Sequence, residues 1–548
     1  MITITDTLGN RLEVDQEINL SGVYNSFQPK MEGTIVLGSI NNEIVDFHTV
    51  ITKDSHIQWI TLDTNEGQRA YQRTLIFLMV RAAQIVCADS YVRVLHSLGK
   101  ALYCEWIFGN RRVLTVKEVK HLQTVMKELQ LEDPTIEKMK ACREDTIKFL
   151  KNTGDEGNAE LLEQLEPVEI TYYRSGDLWD YFFGPMLPSF ASLEAYELQH
   201  YAPGFLMHYP GRNTPTTIGE YEEIPKFAKI FLEAKEWGRI LNCSYVNQLN
   251  RYIRDGRIEE IIELAEGLQE KKEAFIADYI IGQKPNIKIV LIAGPSSAGK
   301  TTFTKRLCTQ LRINDKKPLM ISLDDYFYPW DARPKLEDGT YDFESIQSLD
   351  IELFNQNITD LYEGKSVHLP EFNFTNGTRT FREQAVCLCH NGIVVVEGLH
   401  ALNDELSRIV PRYEKYKIYL GALTQLAINN HNRISTSDTR LIRRLVRDFK
   451  FRNHPAEKTF TMWSDVRRGE EENIFPFQED ADTIFNSALI YELSVLKKEA
   501  MPLLEAIDQD SQFYALAQHL TRFLSPFIEL DVSFVPNRSI LREFIGKN

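Results

Sequence analysis

Residues 294–302 read Gly294-Pro295-Ser296-Ser297-Ala298-Gly299-Lys300-Thr301-Thr302 and fit the pattern G-x-x-x-x-G-K-[ST]. An apolar, β-branched run at 287–292 precedes them, as in a buried parallel strand, and apolar residues at helical spacing follow from Thr302 to Leu311. Glycines let backbone N–H groups turn inward around phosphate oxygens, and the start of the helix adds partial positive charge. The stretch therefore predicts a loop that binds a nucleoside triphosphate. The alternative, a strand-to-helix turn that binds nothing, leaves the two matching flanks unexplained.

The pattern also assigns tasks within this loop. Lys300 would reach the β- and γ-phosphates, and the hydroxyl of Thr301 would hold Mg²⁺. The other residues predicted to line the nucleotide are Gly294, Ser296, Ser297, Ala298, Gly299 and Thr302.

Composition narrows the class of protein. The chain has 548 residues, too many for one core, so several domains are expected. Its net charge of −16 argues against broad, non-specific nucleic-acid binding, although a local basic site stays open. The seven cysteines are scattered without paired metal spacing, as expected for reduced thiols in the cytosol. We find no signal-peptide layout and no apolar run near the ~20 residues of a membrane helix, so a soluble, cytoplasmic protein is predicted.

The order of patterns predicts a multidomain chain with α+β and α/β parts. Residues 1–65 alternate apolar and polar positions between turn signals, which indicates a small β-rich module. Residues 66–210 mix helices and strands, including one charged helical stretch from Val116 to Lys151 and a loop from Asn152 to Asn158. Residues 211–284 read as helical, with an amphipathic stripe that we attribute to core packing. Residues 285–548 alternate strands and helices, which predicts a parallel sheet.

Two carboxylates stand where predicted strands of this last part end. Asp324 follows the strand at 318–323, and Glu397 closes the strand at 392–397. Chemistry in open α/β sheets is found at the carboxyl ends of strands, so Asp324 is expected to act as general base or to hold metal through water. Glu397 is expected in the Mg²⁺ shell, because a buried charge needs a metal or a partner. A capping role for Asp324 and a structural role for Glu397 are the alternatives.

Arginines recur on one face of a later helix. Arg440, Arg443, Arg444 and Arg447 lie at i, i+3, i+4 and i+7, and Arg452 follows. The guanidinium fork suits phosphate oxygens, so these side chains predict an anion site. The alternative is a solvated helix face with salt bridges to Asp438 and Asp448. We assign Arg440 to that alternative, and Arg444 and Arg447 to the anion site.

At these residues the chain resembles the uridine kinase/phosphoribulokinase family of P-loop kinases over about 286–500. Besides the loop, the similar motifs are Ile321-Ser322-Leu323-Asp324-Asp325-Tyr326, Tyr341-Asp342-Phe343, Pro370-Glu371-Phe372-Asn373-Phe374, Val396-Glu397-Gly398 and Arg443-Arg444-Leu445-Val446-Arg447-Asp448. The resemblance implies ATP and Mg²⁺ as cofactors and transfer of the γ-phosphate to a hydroxyl. It implies a proton-accepting and metal-contacting role for Asp324, a Mg²⁺-binding role for Glu397, and lid roles for Arg444, Arg447 and Arg452.

The resemblance is less complete for the residues that would bind the phosphate acceptor. It implies that Asp342 binds a ribose and that Phe372 and Arg379 contact the substrate. Uridine kinases carry a base-reading histidine before the arginine, and here Gly377 stands at that position. Phe372 keeps a ring for stacking, but the hydrogen bond to the pyrimidine edge is lost.

The first half resembles the N-terminal part of threonyl-tRNA synthetase, with a TGS-like module at 1–65 and an editing-like domain at 66–210. The similar text is Gly38-Ser39-Ile40-Asn41-Asn42-Glu43-Ile44-Val45-Asp46 and Asp180-Tyr181-Phe182-Phe183-Gly184-Pro185-Met186. Editing domains of that family use an H-x-x-x-H and a C-x-x-x-H pair, which match Arg73 and Phe77, then Phe182 and Met186. All four functional side chains are absent, so we expect no editing activity here.

The whole chain is similar to bacterial nucleoside-kinase proteins with a synthetase-like extension. The leading hypothesis is therefore an ATP- and Mg²⁺-dependent kinase that phosphorylates the 5′-hydroxyl of a nucleoside such as uridine or cytidine. A kinase for another small hydroxyl acceptor, such as a sugar phosphate, is the second hypothesis. A nucleotide-gated RNA-binding or regulatory protein is the third, with RNA contact by the N-terminal half. An oligomer is compatible with each, and no membrane partner is expected.

Overall fold

The computed structural model describes residues 1–109, 112–152, 155–165, 167–282, 286–335, 339, 341–342, 344–424 and 426–547. Within these ranges, none of the helices combines the length and the apolar character needed to cross a bilayer. The architecture is a mixed, multidomain α/β one, as predicted, with mainly antiparallel sheets toward the N-terminus and the predicted parallel sheet toward the C-terminus.

The N-terminal end is β-rich, as its alternating pattern predicts. Helix α1 (Leu20–Phe27) lies among seven strands, β1 (Ile2–Asp6), β2 (Arg11–Val14), β3 (Ile18–Asn19), β4 (Ile35–Ile40), β5 (Glu43–Val45), β6 (Val50–Ile51) and β7 (Ser55–Thr61). Five of them form a sheet in the order β2-β1-β7-β4-β5, in which β1 and β7 are parallel and the other neighbours antiparallel. The indole of Trp59 in β7 donates to the carboxylate of Asp6 in β1 at 2.9 Å, which satisfies a buried polar pair.

The next segment combines helices with two antiparallel sheets. Its elements are α2 (Asn65–Val86), β8 (Ser90–Leu98), β9 (Ala101–Phe108), α3 (Val116–Glu132), β10 (Glu137–Cys142), α4 (Arg143–Asn152), α5 (Glu156–Glu163), β11 (Glu169–Ser175), β12 (Leu178–Asp180), β13 (Glu197–Tyr201) and β14 (Gly204–His208). The sheet orders are β13-β14-β9-β8 and β10-β11-β12. Helix α2 is almost entirely buried from Ala70 to Ala83, which makes it the central helix of this segment.

Two local predictions for this segment are wrong. The stretch from Val116 to Lys151 is not one helical unit, because α3 ends at Glu132 and strand β10 intervenes. Pro134 cannot extend a helix, and β10 gains an antiparallel partner in β11, which is distant in sequence. The predicted loop at Asn152–Asn158 is helical at both ends, because α4 ends at Asn152 and α5 begins at Glu156. Asp155 caps α5 by accepting a hydrogen bond from the Asn158 amide at 3.2 Å. Thr153 and Gly154 lie outside the described residues.

Three helices then lead to the phosphate-loop strand, α6 (Pro225–Ile240), α7 (Val246–Arg254) and α8 (Ile258–Gly282). The predicted stripe of α8 is buried except for Leu268, which is partly buried, and it packs in the same apolar core as Phe303, Leu307 and Leu311, so its role is packing, as expected. The predicted boundary near residue 284 falls on residues outside the described ranges.

The C-terminal part has the predicted parallel sheet, ordered β16-β19-β15-β20-β21. Its elements are β15 (Ile289–Ala293), α9 (Lys300–Ile313), β16 (Lys317–Ser322), α10 (Ile351–Tyr362), β17 (Pro370–Asn373), β18 (Thr378–Phe381), β19 (Gly392–Glu397), β20 (Lys415–Gly421), α11 (Thr436–Arg452), α12 (Ala456–Asn473), β21 (Thr483–Asn486), α13 (Glu492–Glu505), α14 (Tyr514–Leu524) and α15 (Arg542–Ile545). Because the strands are parallel, the carboxyl ends of β15, β16 and β19 share one edge of the sheet.

The two halves of the chain touch at the connection between β20 and α11. His431 lies 2.5 Å from Asp180, and Asn432 donates to the carbonyl of Tyr181 at 2.8 Å. Burial disfavours the imidazolium of His431, but the Asp180 carboxylate outweighs that effect and raises the pKa of His431. The two large cores that pack on the parallel sheet also include residues from the N-terminal side of 284. The division at 65, 210 and 284 stays a prediction.

Candidate active site

The loop at 294–299 has the backbone geometry that a phosphate cradle needs. A Cβ on Gly294 would lie 2.5 Å from the carbonyl oxygen of Leu420, so a side chain has no room there. Ser297 and Gly299 have positive φ values of 60° and 87°, and helix α9 begins at Lys300 directly after the second one. Alternation of this kind turns successive N–H groups toward one concave side, where an anion can accept from them.

Lys300 and Thr301 are the first two residues of α9, directly after the loop. The ammonium of Lys300 donates to the carbonyl oxygens of Gly294 at 2.9 Å and Pro295 at 3.2 Å, which holds it over the loop. The hydroxyl of Thr301 donates to Oε1 of Glu397 at 3.2 Å, and Ser322 donates to the same oxygen at 3.3 Å. The parallel sheet thus joins the ends of three strands in one polar cluster.

Glu397 is a carboxylate held in a buried and crowded place. Burial, together with the negative charges of Asp324 and Glu543, raises its pKa to about 7, although the positive charge of Lys300 opposes the rise. Within the described ranges, no group of three or more His, Cys, Asp or Glu side chains could hold a metal. A hydroxyl and one or two carboxylates nevertheless fit Mg²⁺, which usually takes its remaining ligands from phosphates and water.

Asp324 projects from a 3-10 turn that follows β16, and its side chain is exposed. In the described part of the chain it forms neither a hydrogen bond nor an ion pair, although its charge acts on Glu397 and Arg452. Asp325 is different, since its carboxylate pairs with Arg382 at 3.2 Å and accepts from the amide of Phe372 at 3.3 Å. Of the acidic pair, Asp324 is therefore the member whose carboxylate is exposed and has no partner among the described residues.

The predicted lid arginines do converge. Arg444, Arg447 and Arg452 lie 3.2, 2.9 and 3.4 Å from the carboxylate of Asp448, which is fully buried. Arg444 also donates to the hydroxyl of Ser296 at 2.8 Å, so this cationic group reaches the phosphate loop. Burial lowers the pKa of Arg444 to about 10 despite the adjacent carboxylate, which leaves it charged at neutral pH.

The assignment of Arg440 to a solvated helix face is wrong. Its side chain is buried, pairs with Glu470 and donates through Nε to the carbonyl of Ser296 at 3.0 Å. Arg443, also buried, donates to the carbonyl of Ser297 at 3.2 Å. Helix α11 therefore presses its arginine face against the loop, and those contacts join residues more than 140 positions apart.

On the acceptor side, Asp342 holds a turn. Its Oδ1 accepts from the amides of Glu344 and Ser345, both at 3.0 Å, and Phe343 of the quoted motif lies outside the described residues. Glu344, which the sequence reasoning missed, is mostly buried and lies near the charges of Arg444, Lys300 and Asp324. Burial raises its pKa to about 7. An acidic residue two positions after Asp342 was the signal that could have drawn attention to it.

The structure does not present Phe372 and Arg379 as predicted. The ring of Phe372 is 6% exposed and packs against Phe327 and Phe374, so it is not open for stacking. Arg379 forms an ion pair with Asp350 at 2.9 Å. Both side chains serve the local packing here, because the hairpin β17–β18 folds back on the turn after β16.

Gly377 is required by its surroundings. Its φ is 69°, and a Cβ there would lie 2.1 Å from Cδ2 of Trp330. The indole of Trp330, which also stacks on Tyr341, therefore fills the space beside Gly377. A side chain at position 377 would therefore collide with the ring of Trp330.

Gly377→Ala is expected to destabilise the fold by about 2–4 kcal/mol, because the change adds a collision with an aromatic ring to positive-φ strain. Gly364→Ala is the matched control, since Gly364 has a φ of 77° and open space around it. We expect about 1 kcal/mol there. Chemical denaturation measures both; equal losses would show that the Trp330 contact is unimportant.

The four editing-like positions do meet in space, but as a packed core. The rings of Phe77 and Phe182 lie 5.8 Å apart, and Phe77 and Met186 are fully buried. Arg73 donates to the carbonyl of Pro185 at 2.9 Å. Apolar side chains and an arginine neither ligate a metal nor move a proton, and the absence of editing activity stays a prediction.

A comparison with known protein families finds a match for the segment that contains these site residues. Residues 289–493 match the Phosphoribulokinase / Uridine kinase family. This kinase-family segment contains the loop, both carboxylates and the arginine helix, but not the residues after 493.

The N-terminal region matches threonine–tRNA ligases. The enzyme of Caldanaerobacter subterraneus subsp. tengcongensis is 26% identical over 199 residues, which are 36% of this chain and 30% of the ligase. That of Clostridium tetani is 27% identical over 36% of this chain and 31% of the ligase. The chain thus spans about a third of the length of these curated relatives.

Solved structures similar to this chain include a possible uridine kinase from Bacillus stearothermophilus. It is 16% identical, with a TM-score of 0.28, and the match covers 39% of this chain and 98% of that one. D-glycerate 3-kinase from Cryptococcus neoformans var. grubii is 11% identical, with a TM-score of 0.22, over 46% of this chain and 87% of that one.

Proposed function

We propose that this protein is an ATP- and Mg²⁺-dependent kinase that transfers the γ-phosphate to a hydroxyl of a small acceptor, most simply the 5′-hydroxyl of uridine or cytidine. One observation carries the proposal. The fold brings the Lys300 ammonium, the Thr301–Glu397 pair and the exposed Asp324 to one edge of the parallel sheet. Phosphoryl transfer needs these parts: cations at the phosphates, a metal-binding carboxylate and a proton acceptor.

In this mechanism, the loop amides and Lys300 hold the β- and γ-phosphates. Thr301 and Glu397 would bind Mg²⁺, which when present would offset phosphate charge, and Asp324 would contact it through water. Asp324 accepts the proton of the acceptor hydroxyl while that oxygen bonds to the γ-phosphorus. The bond from phosphorus to the bridging oxygen then breaks, and ADP leaves with that oxygen.

The arginines of α11 supply fixed positive charge beside the transferred group. Arg444 reaches the loop through Ser296, and Arg447 and Arg452 lie within the same Asp448 cluster. Cations placed before the reaction need no reorganisation as charge develops on the phosphoryl oxygens. Glu344, whose carboxyl is influenced by the charges of Lys300 and Asp324, would hold a hydroxyl of the acceptor.

A specific observation favours the second candidate acceptor, a sugar phosphate or another small alcohol. Trp330 covers Gly377, where uridine kinases have the base-reading histidine, and Phe372 is buried. A large planar base therefore has less aromatic surface to stack on than the family pattern suggests.

The deciding experiment is ADP release against a panel of nucleosides, sugars and sugar phosphates, with acceptor-free enzyme as the baseline. Turnover with uridine or cytidine supports the nucleoside form of the proposal. Turnover only with another alcohol removes the nucleoside and keeps the kinase. If no acceptor raises ADP release above the baseline, the kinase proposal fails.

RNA contact, localisation and oligomeric state also remain to be tested by experiment. The similarity of the N-terminal region to threonine–tRNA ligases is compatible with RNA contact, which salt-dependent tRNA binding in the presence and absence of ATP would test. Cytoplasmic localisation and an oligomeric state stay predictions.

A further inference from the structure

The C-terminal segment (residues 535–546) lies on the phosphate loop. A Cβ on Gly299 would lie 2.5 Å from Cγ2 of Ile540, so this isoleucine packs directly against the second glycine of the loop. Phe544 lies under the guanidinium of Arg443, 5.0 Å from ring centroid to Cζ, and Arg443 also holds the carbonyl of Ser297. Ile540 and Phe544 are fully buried, so the backbone of the segment is fixed in place.

This position brings a carboxylate onto a phosphate-binding amide. Oε2 of Glu543 accepts from the backbone N–H of Thr302 at 2.9 Å. Thr302 is the third residue of α9, and the first N–H groups of a helix have no partner within the helix. These are the donors, with the helix dipole behind them, that a triphosphate on this loop would use. The Glu543 carboxylate therefore stands where a phosphate oxygen would accept.

A second carboxylate, that of Glu470, also accepts a hydrogen bond from the loop, but its surroundings differ from those of Glu543. Glu470 accepts from the amide of Ser296 at 3.0 Å, is fully buried, and is neutralised by Arg440 and by Arg467 at 3.0 Å. Glu543 is partly exposed, and in the described part of the chain no lysine or arginine pairs with it. Rotation of the Glu543 side chain would break this hydrogen bond without separating a described ion pair, whereas the same movement of Glu470 would break its pairs with Arg440 and Arg467.

We propose that Glu543 is an internal competitor of the nucleotide, which occupies the Thr302 amide in the nucleotide-free protein and swings away when a triphosphate binds. The proposal rests on the proposed function, because it assumes that the loop binds a nucleotide. Two anions cannot share one amide donor, and their charges repel strongly in a partly buried site. Glu543 therefore weakens nucleotide binding and sets the nucleotide concentration at which the site fills.

The test is calorimetric titration of MgADP into the full-length protein and three variants. Glu543→Ala removes the competitor, and we expect binding about tenfold tighter, since a charge-assisted hydrogen bond no longer has to be broken. Glu543→Gln keeps an acceptor oxygen but no charge, and we expect an intermediate gain. Glu529→Gln removes the same charge from an exposed position earlier in the C-terminal part and should stay within about twofold of the unmodified protein.

The outcomes distinguish a failure of the competitor role of Glu543 from a failure of nucleotide binding itself. Equal or weaker MgADP binding by Glu543→Ala, with binding by the unmodified protein intact, overturns the competitor. A lower melting temperature of both Glu543 variants without tighter binding points to a purely structural role and overturns it as well. If neither the unmodified protein nor any variant binds MgADP, the proposed function itself fails.

Discussion

Asp324→Asn is expected to lower kcat by about 10²–10⁴-fold, the range that a positioned general base contributes. Asparagine keeps the shape of the side chain but cannot accept the proton of the acceptor hydroxyl. The effect should fall on kcat, because Asp324 is exposed and makes no contact with the loop among the described residues. Steady-state ADP release with the best acceptor, at saturating ATP, measures it.

The matched control for this change is Asp331→Asn, a substitution of the same chemistry at an exposed residue a few positions further on. We expect its kcat to stay within about twofold of the unmodified protein. A kcat of Asp324→Asn within tenfold of the unmodified value would remove the base assignment and leave Glu344 as the next carboxylate to test.

Lys300→Ala is expected to lower kcat/KM for ATP by about 10³-fold, because it removes the cation nearest the β- and γ-phosphates. The fold should tolerate it, since the described contacts of the ammonium are two carbonyl oxygens of the loop itself. Kinetics at varied ATP gives the loss, MgADP calorimetry gives the binding share of it, and thermal unfolding checks the fold.

Lys305→Ala is the control for that experiment. Lys305 lies on the same helix, about one turn further along, and is exposed. Its removal deletes an equal charge without touching the loop, so kcat/KM is expected to change by less than about threefold. Similar losses in both variants would mean that net charge, and not the position of Lys300, supports nucleotide binding.

Much of the site could be predicted because its signals are local. The strand, loop and helix around Gly294 follow from β-branched residues, glycines and helical spacing within some twenty positions. The positions of Asp324 and Glu397 follow equally directly, since each ends a short apolar run and parallel strands end at one edge of a sheet. The structure confirms the parallel order and the strand end at Glu397, while the strand before Asp324 ends at Ser322, one residue earlier than predicted.

The failures have a common physical origin. Arg440 looked like a surface residue because its partners, Glu470 and the carbonyl of Ser296, are distant in sequence. Phe372 was predicted to be available for stacking, but the rings of Phe327 and Phe374, which no local sequence pattern places there, cover it. The break between α3 and α4 likewise depends on β11, which pairs with β10 from across a loop.

The sequence by itself determined that the chain carries a phosphate loop on a parallel sheet, with acidic residues at the ends of the neighbouring strands. Periodicity, glycine geometry and strand direction act over short stretches, so they can be read without coordinates. Only the tertiary structure decided which arginines face the loop, that Trp330 fills the space beside Gly377, and that Glu543 lies on the Thr302 amide. These contacts join residues that lie tens to hundreds of positions apart in the sequence. Tertiary packing selects them, and no local sequence pattern encodes that packing.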